Sequence, residues 1–462
     1  MVDSHQKIAE SLGRFVASTS FAKLPVDIVE AAKARVLDFL GIAVYGSARG
    51  WYNVGFHQPL FHVLAECGGK GECTIIGESL KLPALSASFI NSSMGLPLSD
   101  TSRFSGAHPG VAVTPAALAV AESQKVGGEE FITAVVAGYE VFLRIGKAVF
   151  PSNLDRGFHP TSIVGPFGSA AASSRVLKLN ERDTTSALSL AGSFAAGLME
   201  SFGGYNSALI QTGRASQSGV LAALLAQQAV VGSSSILEGG GAFEGGGFAR
   251  AFADSKELDV ITQDLNKSYV IPEAAMKIYD GCRHTHAALD ATIELMDKYK
   301  IKKEDVREIN VRTYSTALNL DPPSLETGAQ AKFSISFMIA AAILDGEVLP
   351  ETFSDEKIRD KGIQQFMKKV KVELGPEIEK EYPQKWGASV ELRTTQDMTY
   401  NHRLSFAKGE PEHPLSTLEI QNKFRKLTRD ILRPTVADKI IAVVADLESV
   451  REISELTTLL GK

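Results

Sequence analysis

Between residue 5 and about residue 235, apolar residues recur at three- and four-residue spacing, and the stretches so marked are filled with Ala and Gly. Such spacing lays an apolar stripe along one side of a helix, and small residues on the stripe let helix axes approach closely. This part of the chain therefore predicts an all-α bundle. In 28–40, for example, Ile28, Val29, Ala32, Val36, Phe39 and Leu40 share one face. The same pattern predicts helices over 83–94, 114–123, 129–149, 163–179, 182–202 and 215–231.

After about residue 265 the texture changes. Segments 308–314 and 389–394 alternate apolar and polar residues like half-buried strands, between helical patterns at 285–299 and 333–344. The last residues, 416–432 and 436–460, return to amphipathic helix. The expectation is a mainly α protein: a large all-α domain built from both chain ends (1–265 and 410–462) and a smaller α+β domain (266–409). The glycine-rich stretch 239–247, around Ala242-Phe243-Glu244, reads as a connector, since the Gly-Lys-Ser/Thr of a phosphate loop does not follow it.

Charge and composition exclude several classes. The 462 residues carry a net charge of −6 and no long basic run, against a nucleic-acid partner. Cys67, Cys73 and Cys282 are too few for a disulfide framework and suit a reducing compartment. The first twenty residues hold Asp3, Lys7, Glu10 and Arg14 without an apolar core, unlike a signal peptide. The apolar run 337–344 is far short of the ~20 residues of a membrane span. A cytoplasmic protein without membrane contact is expected.

Four polar clusters could carry chemistry. Asp100-Thr101-Ser102-Arg103 precedes His108-Pro109-Gly110, which places His108 in a loop entering a helix. Asp155-Arg156-Gly157-Phe158-His159-Pro160 precedes a second helix, which Thr161 or Ser162 could cap and whose N-terminus favours an anion near His159. The densest group is Lys277 to His286, with Asp280, Cys282, Arg283 and His284 inside it. Cys282, His286 and Asp290 could share a helix face, but no set of partners completes a zinc shell, so no metal is expected. Lys332 opens the helical pattern at 333, where a cation opposes the helix dipole and calls for an acidic partner or a bound carboxylate. Neither a GxSxG elbow nor a dinucleotide fingerprint is present. The remaining kit of His, Lys, Arg, Asp and Tyr suits proton abstraction beside a carboxylate, with cations holding the enolate.

At these residues the sequence resembles the MmgE/PrpD family. The likeness runs through Val36-Leu37-Asp38-Phe39-Leu40-Gly41, Asp100-Thr101 with His108-Pro109-Gly110, and Gly157-Phe158-His159-Pro160-Thr161. It continues through Lys277-Ile278-Tyr279-Asp280-Gly281-Cys282 with Thr285-His286, Ala331-Lys332-Phe333-Ser334 and Gly409-Glu410-Pro411. The resemblance implies an active site in the interdomain cleft of a homodimer. It also implies chemistry on small polycarboxylates without metal or organic cofactor, as in 2-methylcitrate dehydratase, cis-aconitate decarboxylase or iminodisuccinate epimerase. Carried over, the candidates are Asp100, Thr101, His108, His159 and Lys277, with Cys282 and His286. In two places the chain departs from the family pattern. Pro97 stands where an acid is common, and Ala208 where a lysine is common, with Arg214 as a distant substitute.

The expected function is a 2-methylcitrate dehydratase-like hydro-lyase. His159 would be the base or acid, His108 and Asp100 would manage the leaving group, and Lys277 with Arg283 would hold carboxylate charge. Thr101, Cys282, His286, Arg214 and Lys332 complete the substrate-binding candidates. A decarboxylase, an epimerase or a non-catalytic polycarboxylate-binding homologue are the alternatives.

Overall fold

A computed structural model describes residues 7–50, 57–204, 206–241, 243, 245–255 and 257–461, so Asp3, Ala242 and Glu244 noted above lie outside it. The fold is mainly α, with a small four-stranded sheet. The chain divides into two compact units, one formed by 7–50, 57–274 and 416–461 and the other by 275–415.

The first unit is helical and centres on Pro160–Val176, which is buried along nearly its whole length. Its small residues, among them Gly165, Gly168, Ala170, Ala171 and Ala172, let three other helices press against it: Pro109–Gln124, Gly128–Val149 and Asn206–Gln227. A helix with no solvent face can carry no amphipathic stripe, and its Ser169 hydroxyl is satisfied by the Ala112 carbonyl at 2.9 Å. The two chain ends meet where Thr417–Thr428 packs on Val26–Arg49, and Lys423 Nζ lies 2.5 Å from Asp38 Oδ1.

Several helix limits differ from the periodicity. The helix expected over 182–202 is Glu181–Ser193, because the chain beyond it turns back to bridge Phe158 with Leu198. The one expected from 215 begins nine residues earlier, at Asn206, its first turns sealed by buried Ala208 and Leu209. At the C-terminus the helix expected over 436–460 stops at Ala445. There the backbone bonds elsewhere: Val450 O accepts from Gly128 N, and Ile453 N donates to Val126 O.

The second unit holds β1 (Val306–Thr313), β2 (Val370–Leu374), β3 (Ala388–Thr394) and β4 (Thr399–Leu404) in the order β2-β1-β3-β4. β1 and β2 are parallel, with Ile309 opposite Val370, and the other pairs are antiparallel, with Val311 opposite Val390 and Val390 opposite His402. Alternate residues of β3 are buried beneath Arg283–Tyr299, and Ile335–Asp345 packs against that helix and β2. β2 and β4 escaped the pattern because they are short edge strands with little buried face.

Candidate active site

His159 occupies the N-cap position of the central helix and Pro160 its first turn. Proline holds the preceding residue extended and needs no cap for a missing N–H. This corrects the expected caps: neither Thr161 nor Ser162 serves as one. The Thr161 hydroxyl accepts from His108 N at 3.0 Å, and Ser162 Oγ lies 2.6 Å from His159 Nδ1. His159 Nδ1 is also 2.9 Å from Gln211 Oε1, while Gln211 Nε2 donates to the Leu198 carbonyl at 3.2 Å and to Ser201 Oγ. The Phe202 ring stands edge-on to the imidazole, 5.0 Å away. Gly197, at φ +145°, allows this crowding: a Cβ there would lie 2.5 Å from Ser162 Cβ and 2.9 Å from Gln211 Oε1. Burial lowers the His159 pKa to about 4, only partly offset by the Gln211 bond, so the ring is neutral at pH 7. Its Nε2 is buried with no hydrogen-bond partner among the described residues.

His108 repeats the construction, as the N-cap of Pro109–Gln124 with Pro109 in the first turn. Its Nδ1 lies 2.8 Å from the Asp100 carbonyl oxygen and 2.9 Å from Thr101 Oγ1. A carbonyl can only accept, so Nδ1 carries a proton. The Asp100 carboxylate is engaged elsewhere. It accepts from Gly110 N at 2.9 Å, Tyr139 Oη at 2.8 Å and Ser99 Oγ at 3.0 Å, and is 2% exposed. The Gly110 position leaves room for it, since a Cβ there would come within 2.7 Å of Asp100 Oδ1. Burial and the neighbouring Asp100 push the Tyr139 hydroxyl pKa well up, which keeps it a donor. Buried Arg35 lies close enough to Tyr139, Asp100 and Asp38 to interact with all three.

In the second unit several buried charges are paired. Lys332 Nζ is 2.6 Å from Asp280 Oδ2, both buried, and sits 5.0 Å over the Phe353 ring. Arg283 donates to Glu410 Oε1 at 2.8 Å and to His286 Nδ1 at 2.9 Å. Asp290 accepts from Tyr279 Oη and from Lys408 N, both at 2.7 Å. His284 stacks on Trp386 with 4.2 Å between centroids, and its Nδ1 meets Tyr314 Oη at 2.5 Å. Lys277 is 5% exposed; burial lowers its pKa to about 8, partly opposed by Cys282 and Asp280. Cys282 is the N-cap of Arg283–Tyr299, and burial raises its thiol pKa, leaving a thiol rather than a nucleophilic thiolate.

Comparison with known proteins gives the family. Residues 10–261 match the MmgE/PrpD N-terminal domain and residues 279–449 the MmgE/PrpD C-terminal domain. The chain belongs to the MmgE/PrpD family. It is 24% identical over 481 residues to the cis-aconitate decarboxylase-like protein oryM of Aspergillus oryzae, covering 98% of this chain and 97% of that one. Identity is 25% to cis-aconitate decarboxylase of Mus musculus (98% and 93% covered) and 24% to that of Homo sapiens (98% and 95%). This MmgE/PrpD protein is an enzyme of the lyase or isomerase class.

Among the residues singled out from sequence, Asp100, Thr101 and His108 form one bonded group in the first unit, which reaches Thr161, two residues after His159. Arg214 is exposed and donates to Gln217 Oε1 at 2.6 Å. Lys332 has the acidic partner its position called for, Asp280, and it follows the short turn Gly328–Ala331 rather than opening the long helix, which starts at Ile335. Gln211 and Tyr139 were missed. Gln211 lies three residues beyond Ala208, hence on the same side of the Asn206–Gln227 helix, and that spacing was the available signal. Tyr139 sits inside an apolar helix and reads from sequence as core.

Proposed function

We propose that this MmgE/PrpD enzyme is a cofactor-independent lyase that removes a proton from the carbon next to a carboxylate of a small di- or tricarboxylic acid and expels water. The observation that carries this is the state of His159: neutral at pH 7, with a buried Nε2 that no described group occupies. Such a nitrogen is a general base. It takes the α-proton; His108, entering the step as the imidazolium with its Nδ1–H on the Asp100 carbonyl, gives its Nε2 proton to the leaving hydroxyl; Lys277, which remains largely cationic at neutral pH, stabilises the carboxylate and the enolate that grows from it. Thr101 and the Asp100 carbonyl hold His108, so Asp100 acts through His108.

Loss of carbon dioxide is the second reading, favoured by the names of the relatives. There a carbon–carboxylate bond breaks, its electron pair enters the same enolate, and a histidine returns a proton to carbon. Purified protein in deuterated water with 2-methylcitrate, citrate, cis-aconitate and iminodisuccinate, followed by NMR, separates the outcomes. An alkene product with loss of water supports the first reading, carbon dioxide the second, and α-deuterium without net change an epimerase. His159→Ala should lower turnover at least ~100-fold with the fold intact. Silence of well-folded protein across the panel refutes the lyase reading for these acids.

A further inference from the structure

We infer that Gln211 is a positioning residue of the proton-transfer machinery: it holds neutral His159 in the Nδ1–H tautomer, so that Nε2 carries the lone pair. The inference rests on the reading of His159 as the base and says what makes it one. A neutral imidazole has two tautomers, and the partner of one nitrogen decides which is present. Here the partner is an amide whose orientation is itself fixed. Gln211 Nε2 donates to the Leu198 carbonyl at 3.2 Å, an atom that can only accept, and to Ser201 Oγ. Turning the amide over would set two carbonyl oxygens against each other, so Oε1 faces His159 Nδ1, at 2.9 Å.

Ser162 fits the same assignment. Its Oγ lies 2.6 Å from Nδ1 and 3.1 Å from Gln211 Oε1, so its proton goes to Oε1 and its lone pair faces Nδ1–H. The opposite tautomer would point the Nδ1 lone pair at the amide oxygen and place an N–H on Nε2, a buried atom with no partner among the described residues. Gly197 keeps the three groups together, since a side chain there would strike both Ser162 and Gln211.

Histidine-labelled protein tests this directly, by two-bond proton–nitrogen correlation at neutral pH with His159 assigned by its loss in His159→Ala. The expected pattern is a protonated Nδ1 and a bare Nε2. Gln211→Met, which removes the acceptor, should mix or reverse the tautomers and lower kcat by ~10–100-fold with KM nearly unchanged. Gln211→Glu keeps an acceptor in place and should retain the tautomer while moving the acid limb of the rate profile to higher pH; a merely structural glutamine would change the melting temperature and leave that limb where it was. An Nε2–H tautomer in the unaltered protein, or a Gln211→Met variant that keeps both tautomer and kcat, overturns the inference. If no acid in the panel turns over but the Nδ1–H tautomer is found and lost in Gln211→Met, the lyase reading fails and the tautomer assignment stands.

Discussion

Replacing Asp100 separates a catalytic carboxylate from a structural one. In Asp100→Ala, Gly110 N–H and Tyr139 O–H lose their acceptor, while the Ser99 hydroxyl can rotate to another. Each stranded buried donor costs about 1–3 kcal/mol, and the lost charge at a helix N-terminus adds about 0.3–2 kcal/mol, so roughly 2–8 kcal/mol is expected. Asp100→Asn should be milder. Its carbonyl still accepts from Gly110, its amide can donate to a reoriented Tyr139 hydroxyl, and the loss reduces to the charge near the helix end and near Arg35, about 1–2 kcal/mol. In a thermal melt of a unit this size that is a fall of about 1.5–3 °C. Turnover should respond the other way. The Asp100 carbonyl that orients His108 is backbone and survives both changes, so Asp100→Asn should keep kcat within ~10-fold. An Asp100→Asn protein with an unshifted melt and a loss of ~100-fold or more in kcat would refute this, and would return the carboxylate to the reacting atoms.

Further outcomes follow from the same geometry. kcat/KM should rise as pH climbs through about 4, where His159 loses its proton, and fall above about 8, where Lys277 does; a profile flat across either value removes that group from the mechanism. Because the folded His159 pKa lies below its unfolded value of about 6.5, its stabilising contribution is present above that value and lost as pH falls toward 4, about 3 kcal/mol in all; a His159→Phe protein should lose stability less steeply over this window in urea titrations. Lys332→Met alone leaves Asp280 buried without its cation and should cost about 3–5 kcal/mol, whereas the double change with Asp280→Leu should recover most of it. Equal losses in the single and double variants would mean that the pair does not act as a unit.

The bundle was legible because helices with one solvent-facing side write a 3.6-residue pattern, as 28–40 does, with Glu30, Ala31 and Ala34 on the open side. Legibility failed where burial is all-round or the surface strand is short. Pro160–Val176 has no polar stripe to mark its ends, and β4, with exposed residues at every second place, offers no buried alternation strong enough to be seen. Helix ends at Ser193 and Ala445 were missed for a different reason. They are set by backbone partners far along the chain, Gly157 for Met199 and Gly128 for Val450, and no local propensity records those.

The two histidines were found because each stands before a proline, and that pairing has a physical consequence as well as a diagnostic one. Proline at the first helical position fixes where the helix begins, and the residue before it is held extended, at ψ 94° for His108 and ψ 109° for His159. The side chain is thereby placed at the end of the helix where amide N–H groups converge. For His159 that positive end opposes the imidazolium in the same direction as burial does, so a neutral base follows from the dipeptide and the fold together. What the dipeptide cannot specify is which nitrogen keeps the proton. That depends on Gln211 and on the Asp100 carbonyl, groups 52 and 8 residues away along the chain, brought in by the helix Asn206–Gln227 and by the loop before Pro109. The residue type of the base is thus local information, and its tautomer is tertiary information.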